Sequence, residues 1–175
     1  GIVSVLVIGI FTYSKLITEP KESKAFNEMY SAQKKFDEAI LIDNDSLYNI
    51  ALNGDDLNMG MLDVIEDFSG TNAANQAHYY TGMMYLNMND YQNSIKFLSK
   101  FNSNDILLSS LATGSIGDAF AELNQFEDAY DYYVKASKSD NNYTTPLFLY
   151  KAGTVAMRLS KFKKAEEYFT SIKLD

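Results

Sequence analysis

Residues 116–136 read IGDAFAELNQFEDAYDYYVKA, two short amphipathic segments that meet at Asn124-Gln125. A small residue sits on each segment, Gly117 on the first and Ala129 on the second, and Phe120, Phe126 and Tyr133 stand between and beyond them. The same pattern recurs 35 residues earlier in Gly82, Tyr85, Tyr91, Ser94, Leu98 and Phe101, which fall on Gly117, Phe120, Phe126, Ala129, Tyr133 and Ala136. It recurs again 36 residues later in Gly153, Ala156, Phe162, Ala165, Phe169 and Ile172. Six positions holding one offset twice define an internal repeat, and paired helices with a period of roughly 34 residues predict a solenoid. One such hairpin cannot bury its apolar face alone, so neighbours must stack on it. The small residues are expected where two helices cross, because a large side chain would hold the backbones apart.

These three copies resemble the tetratricopeptide repeat (TPR) family. The family's small position on the first helix matches Gly82, Gly117 and Gly153; its aromatic at the turn matches Tyr91, Phe126 and Phe162; its alanine on the second helix matches Ser94, Ala129 and Ala165. The family tryptophan is absent, Asn89, Asn124 and Ser160 replace the turn glycine, and no proline closes each repeat. The fold class expected is therefore all-α, a TPR-like α-solenoid of helix hairpins. Its helices are predicted at about 73–88 and 91–101, then 106–123 and 126–138, then 146–159 and 162–173, within repeats at about 73–105, 106–143 and 144–175. The last helix carries Lys161, Lys163, Lys164 and Lys173, and a capping helix outside this chain, or a partner, is expected to cover it.

Upstream lies an apolar run, GIVSVLVIGIFTY, residues 1–13. The first residue is Gly1 rather than Met, and the run is read as the end of a transmembrane helix (1–17) that is incomplete at its N-terminus. A signal-peptide core and a buried domain helix are the alternatives. No small-residue cleavage site follows the run, and Tyr13 and Lys15 suit a membrane interface. Lys15, Lys21 and Lys24 by themselves argue against translocation of that flank. Pro20 is expected in the first turn of a new helix, and apolar residues at 25, 26, 29, 36, 39 and 40 continue a helix to Ile42. This helix is expected to run almost directly out of the membrane. A polar break from Asp43 to Ser46, a short apolar segment 47–52 and a turn at 53–56 follow. Asp55 or Asp56 is expected to cap a second helix that carries Leu57, Met61, Leu62, Ile65 and Phe68. Residues 18–72 thus read as a linker helix and a degenerate first repeat.

The net charge of −8 disfavours nucleic-acid binding, which needs a basic face. The absence of cysteine excludes disulfides, thiolate metal sites and a cysteine nucleophile within this sequence. The single histidine, His78, reads as a packing residue in place of the family tryptophan. The acidic residues at 43–56 do not match a calcium loop. Gly114 and Gly117 lie inside a helical pattern and not after a strand, so no phosphate loop is expected. Asp45-Ser46-Leu47 resembles a short glycosylation acceptor of some exported Bacteroidota proteins. No catalytic constellation, metal or cofactor is expected, and no small-molecule substrate.

The resemblance implies a concave groove lined by the first helices. Carried over by register, its residues are Gln76, Tyr79, Met83, Leu86 and Asn87, then Leu111, Gly114, Asp118, Ala121 and Glu122, then Leu147, Tyr150, Thr154, Met157 and Arg158. That mixture of Met, Leu and Tyr with a few polar anchors suits a segment of another protein. The alternative is that the chain's own first helix fills it. One membrane span followed by an acidic repeat domain resembles the YfgM-type ancillary proteins of the bacterial secretory translocon, and the wording of the join resembles membrane-anchored repeat proteins of Bacteroidota. The resemblance implies a single-pass inner-membrane protein with a periplasmic domain. Its partners would be translocon subunits, a periplasmic chaperone or a prolyl isomerase. An adaptor subunit of another envelope assembly or secretion complex is the alternative.

Overall fold

The structure, a computed structural model, describes residues 2–42 and 44–172. Gly1, Asp43 and Lys173, invoked above, lie outside the described residues. Among the described residues all regular structure is helical. The chain divides into two compact units, one ending at Met84 and the other starting at Tyr85.

The first unit begins with α1 (Ile2–Tyr13), a π segment (Ser14–Thr18) and α2 (Glu19–Ile42). They form one helix, whose stretch Val3–Ile42 is 40 residues long and is long and apolar enough at its N-terminal end to cross a membrane. None of its most apolar 18-residue window is buried. Pro20 therefore does not start a new helix, contrary to the reading above. In a regular α-helix its ring would strike the carbonyl four residues back. Here Leu16, which owns that carbonyl, lies in the π segment, where the Glu19 N–H reaches back five residues to the Ser14 carbonyl. The widened turn absorbs the proline without ending the helix.

Further along α2, Ala25, Met29, Ala32, Phe36 and Ala39 are buried at alternating spacings of four and three, one helical face. That face packs on α3 (Asp45–Asn53) and α4 (Met61–Asp67), burying Tyr48, Leu52, Met61 and Val64. The Phe36 ring sits 6.1 Å from Tyr48 and 5.4 Å from Tyr80 of α5 (Asn72–Asn87). Asn44 caps α3 through bonds from the Ser46 and Leu47 amides, and Ser46 is exposed in its first turn. Neither Asp55 nor Asp56 caps the next helix. The Asp55 carboxylate instead accepts the Leu57 and Asn58 amides at 2.9 Å and closes a turn within the loop. Leu57, expected on the helix, is 92 % exposed, and α4 starts only at Met61, where Asp63 accepts the Gly60 amide. A short carboxylate two residues before a free amide competes with helix formation, and here it wins.

The second unit holds the rest of α5, then α6 (Tyr91–Leu98), α7 (Ile106–Glu122), α8 (Phe126–Ala136), α9 (Thr144–Arg158) and α10 (Phe162–Ser171). From α6 onward each helix packs on the next, and α7 also meets α9. The repeat is visible in the backbone. Asn89, Asn124 and Ser160, which share one register position, have φ of 60°, 60° and 59°. The amide of the residue after each one reaches back five residues, Asp90 to Tyr85, Gln125 to Phe120 and Lys161 to Ala156, at 2.8–2.9 Å. That bond closes a helix through a left-handed residue, which favours Gly, then Asn. Serine is the least suited of the three. Ser160→Gly should therefore stabilise the second unit by about 1 kcal/mol, the order of the left-handed penalty for an L side chain, and Asn124→Gly by less. Urea midpoints would read this, and an unchanged or lowered midpoint for Ser160→Gly would contradict it.

The small positions also repeat, with one refinement. Ser94, Ala129 and Ala165 are at most 1 % exposed. Gly117 and Gly153, however, do not merely let two backbones approach. A Cβ on Gly117 would lie 2.8 Å from the Tyr133 ring, and one on Gly153 would lie 2.6 Å from the Phe169 ring. The hairpin's own aromatic fills the space that the missing side chain leaves. Ser94 differs from its two alanine counterparts by a hydroxyl that is fully buried and has no hydrogen-bond partner among the described residues. An unsatisfied buried hydroxyl costs about 1–3 kcal/mol. Ser94→Ala should accordingly raise the unfolding free energy by about 1 kcal/mol, a gain that calorimetry would detect and a loss would refute.

Candidate functional site

A cleft of about 350 Å³ opens in the second unit, lined by Leu86, Asn89, Tyr91, Asp118, Ala121, Glu122, Tyr133 and Lys151. Its residues come from the end of α5, the following turn, and α6 to α9. Behind it lies the core of this unit, in which Ala129, Tyr133, Ala136, Phe148, Ala152 and Val155 are buried. Leu111, Phe120, Phe126, Tyr130 and Tyr168 pack around them.

The centre of the cleft is a carboxylate with two donors. The Tyr133 hydroxyl donates to Asp118 Oδ1 at 2.7 Å, and Lys151 Nζ donates to Oδ1 and Oδ2 at 2.6 and 2.8 Å. Lys151 Nζ also lies 5.7 and 5.9 Å from the centres of the Tyr133 and Phe148 rings. Aromatic faces attract a cation at that range. Burial, followed by the negative charge of Asp118, pushes the Tyr133 phenol well above its ordinary value. At the mouth, the Tyr91 hydroxyl donates to Asn89 Oδ1 at 2.8 Å, and desolvation and then Glu122 raise its phenol. The result is a polar floor flanked by rings, able to exchange hydrogen bonds and charge with a bound segment. Among the described residues no three of His, Cys, Asp and Glu gather as a metal-ligand set.

The Tyr133 shift has a consequence for stability. A phenol whose folded pKa lies above its unfolded value holds its proton more tightly when folded, so its contribution is complete below the unfolded value of 10.0 and is lost as pH climbs beyond it. The second unit should therefore lose stability above about pH 10 more steeply in the native protein than in Tyr133→Phe. Denaturant midpoints measured from pH 8 upward check this, and parallel curves would exclude a role for Tyr133.

Of the residues expected in a groove, Leu86, Asp118, Ala121 and Glu122 do meet in this cleft. Gln76, Tyr79 and Met83 belong to the first unit, where Gln76 is exposed and Tyr79 and Met83 are half-buried. His78 is half-buried on the same helix, and Asn87, in the second unit, is exposed. Leu111 packs against the core. Gly114 is no groove residue: it is buried, and a Cβ there would lie 1.9 Å from the Phe148 ring. On α9, Leu147, Tyr150, Thr154, Met157 and Arg158 are exposed but do not line the cleft. Arg158 lies 3.8 Å from the centre of the Phe126 ring, and the Tyr150 ring lies 6.0 Å from Phe169.

Sequence reasoning missed Asn89, Tyr91, Tyr133 and Lys151. A signal for Lys151 existed. Thr154 is the register equivalent of Asp118, and Lys151 lies one turn before it. The first helices α5, α7 and α9 carry only two Lys or Arg residues, Lys151 and Arg158, so a half-buried Asp118 had few possible partners. Two further hollows, of about 220 and 330 Å³, share Ser103, Ser109, Thr113 and Lys135 and include none of the expected groove residues. Comparison with protein-family models, with curated proteins and with solved structures finds no match to this chain.

Proposed function

We propose that this protein is a membrane-anchored scaffold that binds other proteins through tetratricopeptide-type hairpins and carries out no catalysis of its own. The observation that supports this most is the apolar helix Ile2–Tyr13, exposed along its described side chains and joined without a break to a helical-hairpin body. An exposed apolar surface of that extent needs a non-aqueous environment. The cleft around Asp118 and Lys151 supports the binding half of the reading: it offers donors, acceptors and ring faces, the mixture that recognises a peptide segment. The particular setting we propose is the periplasmic face of a bacterial inner membrane, beside the secretory translocon or the folding factors that serve it.

The test is affinity purification of the full-length protein from native membranes in mild detergent, beside a variant carrying Tyr91→Ala and Glu122→Lys at the mouth of the cleft. Translocon subunits or a periplasmic chaperone or prolyl isomerase should co-purify with the native protein and fall at least tenfold with the variant. Recovery of a different envelope assembly, lost in the same variant, would replace the translocon by that complex. Fractionation of the protein as soluble would overturn the anchor, and capture indifferent to the variant would overturn the cleft as the binding site.

A further inference from the structure

We infer that residues 68–73, the connection from α4 together with the first residues of α5, form the edge of the first unit that lies against the lipid headgroups, and that three side chains of α2 hold them there. The inference rests on the reading of α1 as a membrane anchor and deepens it.

The helix that leaves the apolar segment has no loop in which to pivot. It runs from α1 through the π segment into α2, and its last exposed apolar pair before the charged stretch is Leu16 and Ile17. The first residue of the packed face is Ala25. Between them, at 1.5 Å per residue, Lys21 and Glu22 stand about 6 and 7.5 Å beyond Ile17 along the axis. Both reach sideways to the same connection. Lys21 Nζ donates to the Ser69 carbonyl at 2.9 Å. The two Glu22 oxygens each take one amide, Oε2 from Asn72 and Oε1 from Ala73, both at 2.9 Å. Lys24 Nζ lies 5.8 Å from the centre of the Phe68 ring.

Glu22 supplies what α5 lacks. That helix has no acidic residue in its own first turn, and the first four amides of any helix have no partner within it. Here Thr71 takes two of them, Ala74 through its hydroxyl at 3.0 Å and Asn75 through its carbonyl at 3.1 Å. Glu22, 50 and 51 residues away in sequence, takes the other two. A carboxylate at a helix N-terminus also meets the positive end of the helix dipole. The start of α5 is thus tied to a fixed height on the membrane helix. Ser69, Gly70 and Asn72 are exposed there, and a Cβ on Gly70 would meet no atom of the described residues within 4 Å. Lys15, Lys21 and Lys24 step along the helix beside this edge over about 13.5 Å, Lys15 paired with Glu19 at 3.0 Å, and they supply the cations that headgroup phosphates attract.

The chain has no cysteine, so single cysteines can be placed cleanly. Ser69→Cys and Leu41→Cys would each carry a fluorophore in the full chain reconstituted into phosphatidylcholine–phosphatidylglycerol vesicles with a headgroup-attached quencher. Leu41 is 83 % exposed on the same helix, roughly 36 Å beyond Ile17 along its axis. Label at position 69 should be quenched at least threefold more than label at 41. In Glu22→Ala, amide exchange at Asn72 and Ala73 should speed up at least tenfold while that of α3 changes little. If the protein floats with vesicles but positions 69 and 41 are quenched alike, the apposed edge is wrong and the anchor stands. If it does not float, the anchor fails and this inference falls with it.

Discussion

Replacing Gly114 by alanine should destabilise the second unit by about 2 kcal/mol, and the sign should reverse once Phe148 is removed. The Phe148 ring occupies the volume that a side chain at 114 would need: an added Cβ would lie 1.9 and 2.0 Å from two of its carbons. Phe148 is 2 % exposed and stacks against Tyr133 at 6.4 Å, so it has no space to withdraw into. Overpacking of this kind costs about 3 kcal/mol at its upper range, offset by about 1 kcal/mol because alanine favours a helix over glycine. Phe148→Ala alone should cost about 3–5 kcal/mol. With the ring gone, Gly114→Ala keeps only the helix gain and should stabilise by about 1 kcal/mol, a coupling that a double-mutant cycle isolates. Hydrogen exchange of α7 and α9 amides in the full chain would follow this unit by itself. A Gly114→Ala cost that persists in the Phe148→Ala background would show that the ring is not its cause.

Gly60→Ala should damage the first unit at least as severely, by about 3 kcal/mol or more, for a different reason. The Gly60 backbone, at φ −86° and ψ 172°, suits any residue. The obstacle is space. A Cβ there would stand 2.3 Å from the Gly54 nitrogen and the Leu52 carbonyl oxygen and 2.5 Å from the Asn53 carbonyl carbon. All three are backbone atoms at the end of α3, so no rotamer change can relieve the clash; α3 and α4 must move apart, and with them the buried Leu52 and Met61. Gly70→Ala is the contrasting case. Its φ is +85° but no atom of the described residues lies within 4 Å of the added carbon, so only the torsional cost of about 1 kcal/mol applies. Thermal unfolding of the two variants should therefore separate clearly. Equal shifts would mean that the loop carrying Gly60 yields more readily than its contacts indicate.

Much of this was legible in the chain. The helices of the second unit fall within a few residues of where the apolar spacing puts them, because an amphipathic period and a turn residue are local properties. The three left-handed residues were legible too, since each falls at one register position between paired helical segments. Gly114 was not. Its register equivalents are Tyr79 and Tyr150, which pointed the position outward; only the approach of α9 reveals that a glycine there admits Phe148. The candidate site was half legible. Register placed Leu86, Asp118, Ala121 and Glu122 on one face, but Tyr133 and Lys151 reach it from other helices.

By itself, then, the sequence determined the helical content, the hairpin turns and an apolar N-terminal segment, because these depend on residues within one or two turns of each other. The tertiary structure decided the rest. It joined the apolar N-terminal helix to α2 through a π turn that absorbs Pro20, and it set Glu22 on the α5 amides across 50 residues. Lys151 found Asp118 across 33, and Phe148 was seated on Gly114. Such contacts depend on where whole helices pack, and side-chain volume and charge select among several packings that the same periodicity allows.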